Sequence, residues 1–425
     1  MKGKTLLGMA LVLSIVLVIT LLPFATGCGK PAGPASAAKK LKIGMTTPTT
    51  GPAAEKGSPM GHANLDAIEY VNTELGGAGG YFVDVAWADN GYDAAKVVTI
   101  VKSFIDQGCL MFSTSSSAMM SASMEIANRA ELPGLAAFGS PILYRPPKHI
   151  YGQLPDYGDD ALAFTQYYMK NIWKGSGKPK FALELLSNST GYGARDAFKA
   201  KAQELGVEII STDEHKSTTN SEMEALTRIK AKKPDVLYIS STPAPTAVII
   251  KNAYELGMYP GTVIASGHAG MTKALVDIGG ADIVEGVYGV YPTVGWDAKV
   301  PGMAKVIEYC RKNHPKDEGN MDYITSWAQS MIMVEALKLA VKNVGYEKLA
   351  KGDTEARRLM ETQGIQKLKN YDVGGVHGPV SYTPGDNRLA TSVRIFQIKK
   401  GVITPVTDWV NAPKVEYEKY DWFGK

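Results

Sequence analysis

A chain of 425 residues, 45% hydrophobic and 21% charged, has material for two globular domains. Its formal net charge of +4 is too even for a nucleic-acid binder, and no basic stripe interleaved with aromatics appears. No P-loop, HExxH, GxSxG or GxGxxG motif is present, so the best-marked phosphate-binding, metallopeptidase and serine-hydrolase sites lack their defining residues.

Residues 1–27 differ in texture from the rest. Lys2 and Lys4 precede an almost wholly apolar run from Thr5 to Leu22, and small residues lead up to Cys28. This describes a secretory signal peptide; a retained anchor helix is the competing reading of so long a run. Ala25-Thr26-Gly27-Cys28 resembles a bacterial lipobox, with Ala25 where leucine is usual. Cys28 is therefore expected to carry a lipid and hold the chain outside the cytoplasmic membrane. Residues 28–40, small and rich in Pro and Gly, read as a flexible tether.

From Leu41 short strand-like runs alternate with longer helical ones. The runs LKIGM, YFVDVAW, CLMF, GLAAF and HIYG are strands of the first half; FALELL, GVEII, DVLYIS and TVIAS follow after Pro155. Between them Val97, Val98, Val101, Phe104 and Ile105 recur at helical spacing, with Asp93 placed to cap that helix. Further helices run through Ala194–Leu205, Met223–Ile229 and Trp327–Val341. This alternation argues parallel sheets with crossover helices, in two α/β lobes. The segment GPVSYTP-GDNR-LATSVRIFQIKKG reads as a β-hairpin turning at Gly385-Asp386.

Of the three cysteines, Cys109 falls in an apolar strand and Cys310 in a helix; two separate buried thiols is the plainer reading, although an exported protein can join them. The six histidines, His62, His149, His215, His268, His314 and His377, are scattered without ligand spacing and read as solvated or structural; no metal or cofactor is expected. Asp89 and Asp93 need no acid–base chemistry, since one ends a strand and the other starts a helix.

The loop Ser113-Thr114-Ser115-Ser116-Ser117 joins a strand to a helix. A helix start has amides without intrahelical partners and favours negative charge. One serine suffices as a cap, so the remaining hydroxyls suit an incoming carboxylate. A catalytic serine is the weaker alternative, because the flanking glycines of a sharp elbow are missing.

In order, TTPTTGPAAEKG, NTELGGAGG, VDVAWADNGYD, the serine loop, LPGLAAFGSP, GYGARDAFKAKAQELG, PDVLYIS and GGADIVEGVYG resemble the type I periplasmic solute-binding proteins of ABC importers, the leucine/isoleucine/valine-binding family. The likeness runs from about Leu41 to Gly401. It implies two Rossmann-like lobes with parallel-type sheets, three hinge crossovers and a ligand cleft between the lobes. The implied division is 41–156 for the first lobe, 157–291 for the second, 292–375 back in the first, and 376–425 completing the second with a tail.

By the same resemblance Ser117, with Ser116 as its one-residue alternative, meets a ligand carboxylate. Phe138 and Ser140 complete that site, and Tyr192 covers the ligand on closure. Two positions depart from the family pattern. His268 stands where a second-lobe acid would face an ammonium group, and Lys56 stands where an aromatic residue is common; both move the pocket toward an anion. Tyr144 and Tyr238 are further candidates to flank an apolar body. The implied function is a non-enzymatic, lipid-anchored binding protein that delivers an amino acid or organic acid to a membrane permease, and a monomer suits that role. A sensor signalling through a separate membrane protein, and a serine hydrolase, are the alternatives.

Overall fold

The computed structural model describes residues 36–424; residues 1–27, expected to be a signal peptide, and Cys28 lie outside the described residues. Strand and helix alternate as their apolar spacing requires. The first lobe is built from β1 (Ser36–Thr47), α1 (Ala54–Glu74), β2 (Tyr81–Asp89), α2 (Ala94–Asp106), β3 (Phe112–Thr114), α3 (Ser117–Arg129), β4 (Gly134–Ala136), α4 (Pro141–Tyr144) and β5 (Ile150–Gly152). Its sheet is wholly parallel in the order β2-β1-β3-β4-β5.

The second lobe takes α5 (Tyr157–Asn171), β6 (Lys180–Leu186), α6 (Ser189–Lys201), β7 (Glu208–His215), α7 (Met223–Ala231), β8 (Val236–Ser240), α8 (Pro243–Glu255), β9 (Val263–Ser266), α9 (Lys273–Gly279) and β10 (Tyr288–Tyr291). The chain then returns to the first lobe through α10 (Met303–Asn313), α11 (Met321–Val344), α12 (Tyr346–Leu349) and α13 (Thr354–Gln363). It ends on β11 (Ser392–Lys399), β12 (Val402–Pro405) and β13 (Val410–Asn411). The second sheet runs β12-β11-β10-β9-β8-β6-β7, parallel except where β11 meets β10 and β12.

Three departures from the sequence reading have local causes. First, β1 starts at Ser36, so the stretch expected to be tether joins the sheet before residue 41. Lys39 pairs with Glu347 and the Lys40 amide donates to the Tyr346 hydroxyl, which ties this start to α12. Second, the hairpin turns at Lys400-Gly401 rather than at Gly385-Asp386. Both residues have positive φ, 53° and 71°, as a tight two-residue hairpin turn requires. At Thr383–Asp386 there is only an isolated bridge, because Val380 pairs back to Tyr371 and Arg388 is drawn to Asp159. Third, Val376, Val380, Leu389 and Ala390 pack in the first lobe's core, so the chain reaches the second sheet at Ser392, after the 376 boundary.

Cys109 and Cys310 are free, buried thiols in different clusters, and burial pushes both pKa values up to about 12. Among the described residues no helix is long and apolar enough to cross a membrane.

Candidate functional site

The lobes meet over a small apolar cluster that neither could form alone. Met60, Ala137 and Phe138 from the first lobe pack on Tyr157 and Ala269 of the second. The Phe138 ring stacks on His268 at 4.8 Å between centroids. Polar groups continue the contact: the Ser189 hydroxyl, in the first turn of α6, donates to the Ser117 hydroxyl at 3.0 Å, and the Tyr157 hydroxyl reaches it at 3.3 Å. This approach depends on Gly193, where a Cβ would sit 3.1 Å from that of Tyr157 and 3.3 Å from that of Ser140.

Beside these contacts is a cavity of about 40 Å³, the size of a water or two. Its lining comes from the turn entering α1, from the serine loop, and from Tyr92, Phe138, Tyr157, Thr190, Thr242 and Ala269. The serine loop divides its labour. Ser116 is the N-cap of α3 and accepts from the Met119 amide, whereas Ser117 spans the lobes. Ser116 takes only that amide, so the first amides of α3, at Ser117 and Ala118, keep no acceptor among the described residues. They face the position that a carboxylate at a helix start occupies.

Lys56 lines the cavity but does not bring it a net charge. Its ammonium is ion-paired to Asp322, which is fully buried and also accepts from the Tyr291 hydroxyl at 2.6 Å. The same ammonium lies 4.3 Å from the centroid of the Phe138 ring. Burial pulls the Lys56 pKa down, and Asp322 opposes that pull. His268 is wholly buried beneath the cavity rather than lining it. Its Nδ1 lies 2.6 Å from an oxygen of Asp160, out of line for a hydrogen bond, while its amide donates to the same oxygen at 2.9 Å. Burial raises the Asp160 carboxyl, with His268 working against it.

The other expected residues sit elsewhere. Ser140 is buried with no hydrogen-bond partner for its hydroxyl, and it borders a separate outer groove of about 910 Å³. Tyr192 lines that groove too; its hydroxyl is 3.3 Å from Ser187 and Arg195 covers its ring at 4.3 Å. Tyr144 and Tyr238 are core residues, packed in different lobes. The structure thus brings together Lys56, Ser116, Ser117 and Phe138, sets His268 behind them, and leaves the buried Ser140 and the more open Tyr192 bordering the outer groove.

Glu55 was not foreseen. It lines the cavity, makes no ion pair among the described residues, and burial raises its carboxyl above the ordinary range, with its own backbone amide and Lys56 pulling the other way. Its position one residue before Lys56, at a helix start, was the available signal. Tyr92 was also missed; it has a φ of 59° and stands over the serine loop.

Two α/β lobes closing on a cavity edged by helix starts define a solute-binding architecture. Residues 40–402 match the periplasmic binding protein family, and the chain belongs to it. A Leu/Ile/Val-binding protein homolog 7 from Brucella suis is 22% identical over 316 residues, 72% of this chain and 79% of the relative. Among solved structures, a branched chain amino acid ABC transporter protein from Thermus thermophilus with bound valine superposes with a TM-score of 0.78 at 19% identity, covering 89% of this chain and 97% of that one. A fatty acid ABC transporter substrate-binding protein from Thermomonospora curvata gives a TM-score of 0.76 at 22% identity, with 90% and 95% covered. At such identities these structures establish the fold.

Proposed function

We propose that the chain is an extracytoplasmic binding protein that captures a small amino acid with an apolar side chain and presents it to an ABC permease, held at the membrane through a lipid on Cys28. The observation that carries the ligand class is that one interlobe cavity is lined both by Ser117, at the start of α3 where the first amides keep no acceptor among the described residues, and by Glu55, which makes no ion pair among them. The amides and serine hydroxyls take the carboxylate, and Glu55 takes the ammonium. Lys56 and His268, which by sequence favoured an anion, each have a buried carboxylate of their own. Met60, Tyr92 and Phe138 supply the apolar walls. The names of the relatives, Leu/Ile/Val-binding proteins and a protein with bound valine, agree with this reading.

Leucine, isoleucine or valine exceeds the cavity of about 40 Å³, so it enters when the Ser117–Ser189 and Phe138–His268 contacts part. By bridging the lobes it then favours a closed arrangement with those contacts held wider apart. Nothing in this cycle needs a cofactor or a second copy. The fatty-acid neighbour favours a second reading, a plain carboxylate with the Lys56 ammonium near its head. Thermal shift with leucine, isoleucine and valine against the same carbon skeletons lacking the amine decides between them. Stabilisation by the amino acids is expected; a ligand at a hundredfold its Kd adds about 2.7 kcal/mol. Stabilisation by the plain acids alone would remove Glu55 from the account.

A further inference from the structure

Two histidines that the sequence sets 252 positions apart lie face to face on the first lobe, away from the cavity. The rings of His62 and His314 are parallel, with centroids 3.9 Å apart. A ring nitrogen of each and a carboxylate oxygen of Asp317 all lie within 4.8 Å of one another. The lone pairs of stacked rings lie in parallel planes and do not meet, but the donors are close enough that turning one imidazole out of the stack would aim both at one point. The geometry points to a binding site for a late first-row divalent cation, such as Zn²⁺, Co²⁺ or Cu²⁺, formed in that way by His62, His314 and Asp317. Two imidazoles and one carboxylate are a donor set suited to such ions and poorly suited to Mg²⁺ or Ca²⁺.

Local structure explains why these side chains converge. His62 and Asp66 are four residues apart on α1 and share one face. His314 and Asp317 are three apart around a 3₁₀ turn that begins at Pro315, and that spacing stacks side chains on one side. The turn is laid on the helix, so the two faces meet. His62 Nδ1 contacts Asp317 at 2.7 Å. The His314 ring makes no hydrogen bond among the described residues; its Nε2 is 3.6 Å from Asp66, beyond hydrogen-bond reach. Asp66 is in turn held by Tyr323 and by Asn313 at 2.8 Å, which places a fixed, buried carboxylate behind His314. A turn of the His314 ring that closes the 3.6 Å gap would let this carboxylate accept from Nε2 and orient the ring, as carboxylates do behind metal-binding histidines. The three ligating side chains are only partly buried, with 38%, 29% and 13% of each exposed, so an ion has a path in and room to keep water as a further ligand.

The site also has a structural reach. Along α1 it lies about 9 Å, or six residues, beyond Lys56, and Asp317 precedes Asp322 by five residues. A bound ion would clamp the 314–320 turn on α1 and so fix both segments that carry the Lys56–Asp322 pair.

The test uses the full-length chain without an affinity tag, stripped with chelator and titrated with CoCl₂ and ZnCl₂. One tightly bound ion per chain is expected, with a rise in Tm of a few degrees and a visible Co²⁺ absorption band. Both signals vanish in H62N/H314N, and D66N weakens binding about 10- to 100-fold. Binding that persists in the double variant, or no stoichiometric binding by the wild type, overturns the proposal. Should the double variant fail to fold, Cu²⁺ electron paramagnetic resonance on the wild type decides: two imidazole nitrogens support the site, and one or none rejects it.

Discussion

The inner cavity and the outer groove are separated by one contact line, Ser117–Ser189, yet differ in nearly every property. The cavity is small, and of the two charged residues that line it Lys56 is buried and paired with Asp322 while Glu55 makes no ion pair among the described residues. The groove is over twenty times larger and bordered by Arg195, Lys199 and Trp422, with Lys199 4.2 Å from the Trp422 ring. Volume alone would choose the groove. Desolvated, converging donors choose the cavity, because only there does a polar contact gain from a low dielectric and lose heavily when unmade.

The largest effect that could break this contrast comes from Lys56. Lys56→Met strands the buried Asp322 charge and should cost about 3–5 kcal/mol in urea unfolding. Adding Asp322→Asn should recover a large part of it. A Lys56→Met variant of unchanged stability but lost binding would instead make Lys56 a ligand cation.

Glu55→Gln comes next. It should cost an amino acid about 1–3 kcal/mol by titration calorimetry and leave a plain acid unaffected. Amino-acid affinity should also fall as pH drops through the raised Glu55 pKa, since only the ionised form attracts the ammonium.

A smaller effect concerns the turn that leads into α1. Burial alone would raise the Asp89 carboxyl, but the Thr50 hydroxyl and the amides of Gly91, Thr50 and Thr49 hold it well below the ordinary range. The unfolded chain takes up that proton first, near pH 3.9. Its contribution is therefore complete above about pH 5 and is lost as pH falls toward the folded value. Asp89→Asn should flatten this part of the acid-unfolding curve. Smallest of all, Tyr192→Ala in the outer groove should change stability and affinity by less than about 0.5 kcal/mol.

The contrast also marks what the sequence could convey. Alternating strands and helices were legible because periodicity is local, and Asp93 was legible as a cap because its partner, Lys96, is three residues away. The serine loop was legible as a helix start. What the site does with its charges was not, because the deciding partners are remote: Asp322 lies 266 residues from Lys56, and Asp160 lies 108 from His268. Family likeness placed Tyr192 near the cleft but could not say on which side of the contact line its ring falls. The hairpin was misplaced for a related reason. Gly385-Asp386 has turn chemistry, but its flanks are claimed by Tyr371 and Asp159, whereas Lys400-Gly401 is flanked by strands that pair with each other.

The measurement that bears most directly on the cavity is calorimetry of Ser117→Ala beside Tyr192→Ala, using whichever solute stabilises the wild type most. If the solute sits between the lobes at the start of α3, Ser117→Ala weakens binding by about 1–3 kcal/mol, roughly 5- to 150-fold, and Tyr192→Ala leaves it within about threefold. The reverse ranking, with Ser117→Ala silent and Tyr192→Ala disabling, would move the binding site to the outer groove.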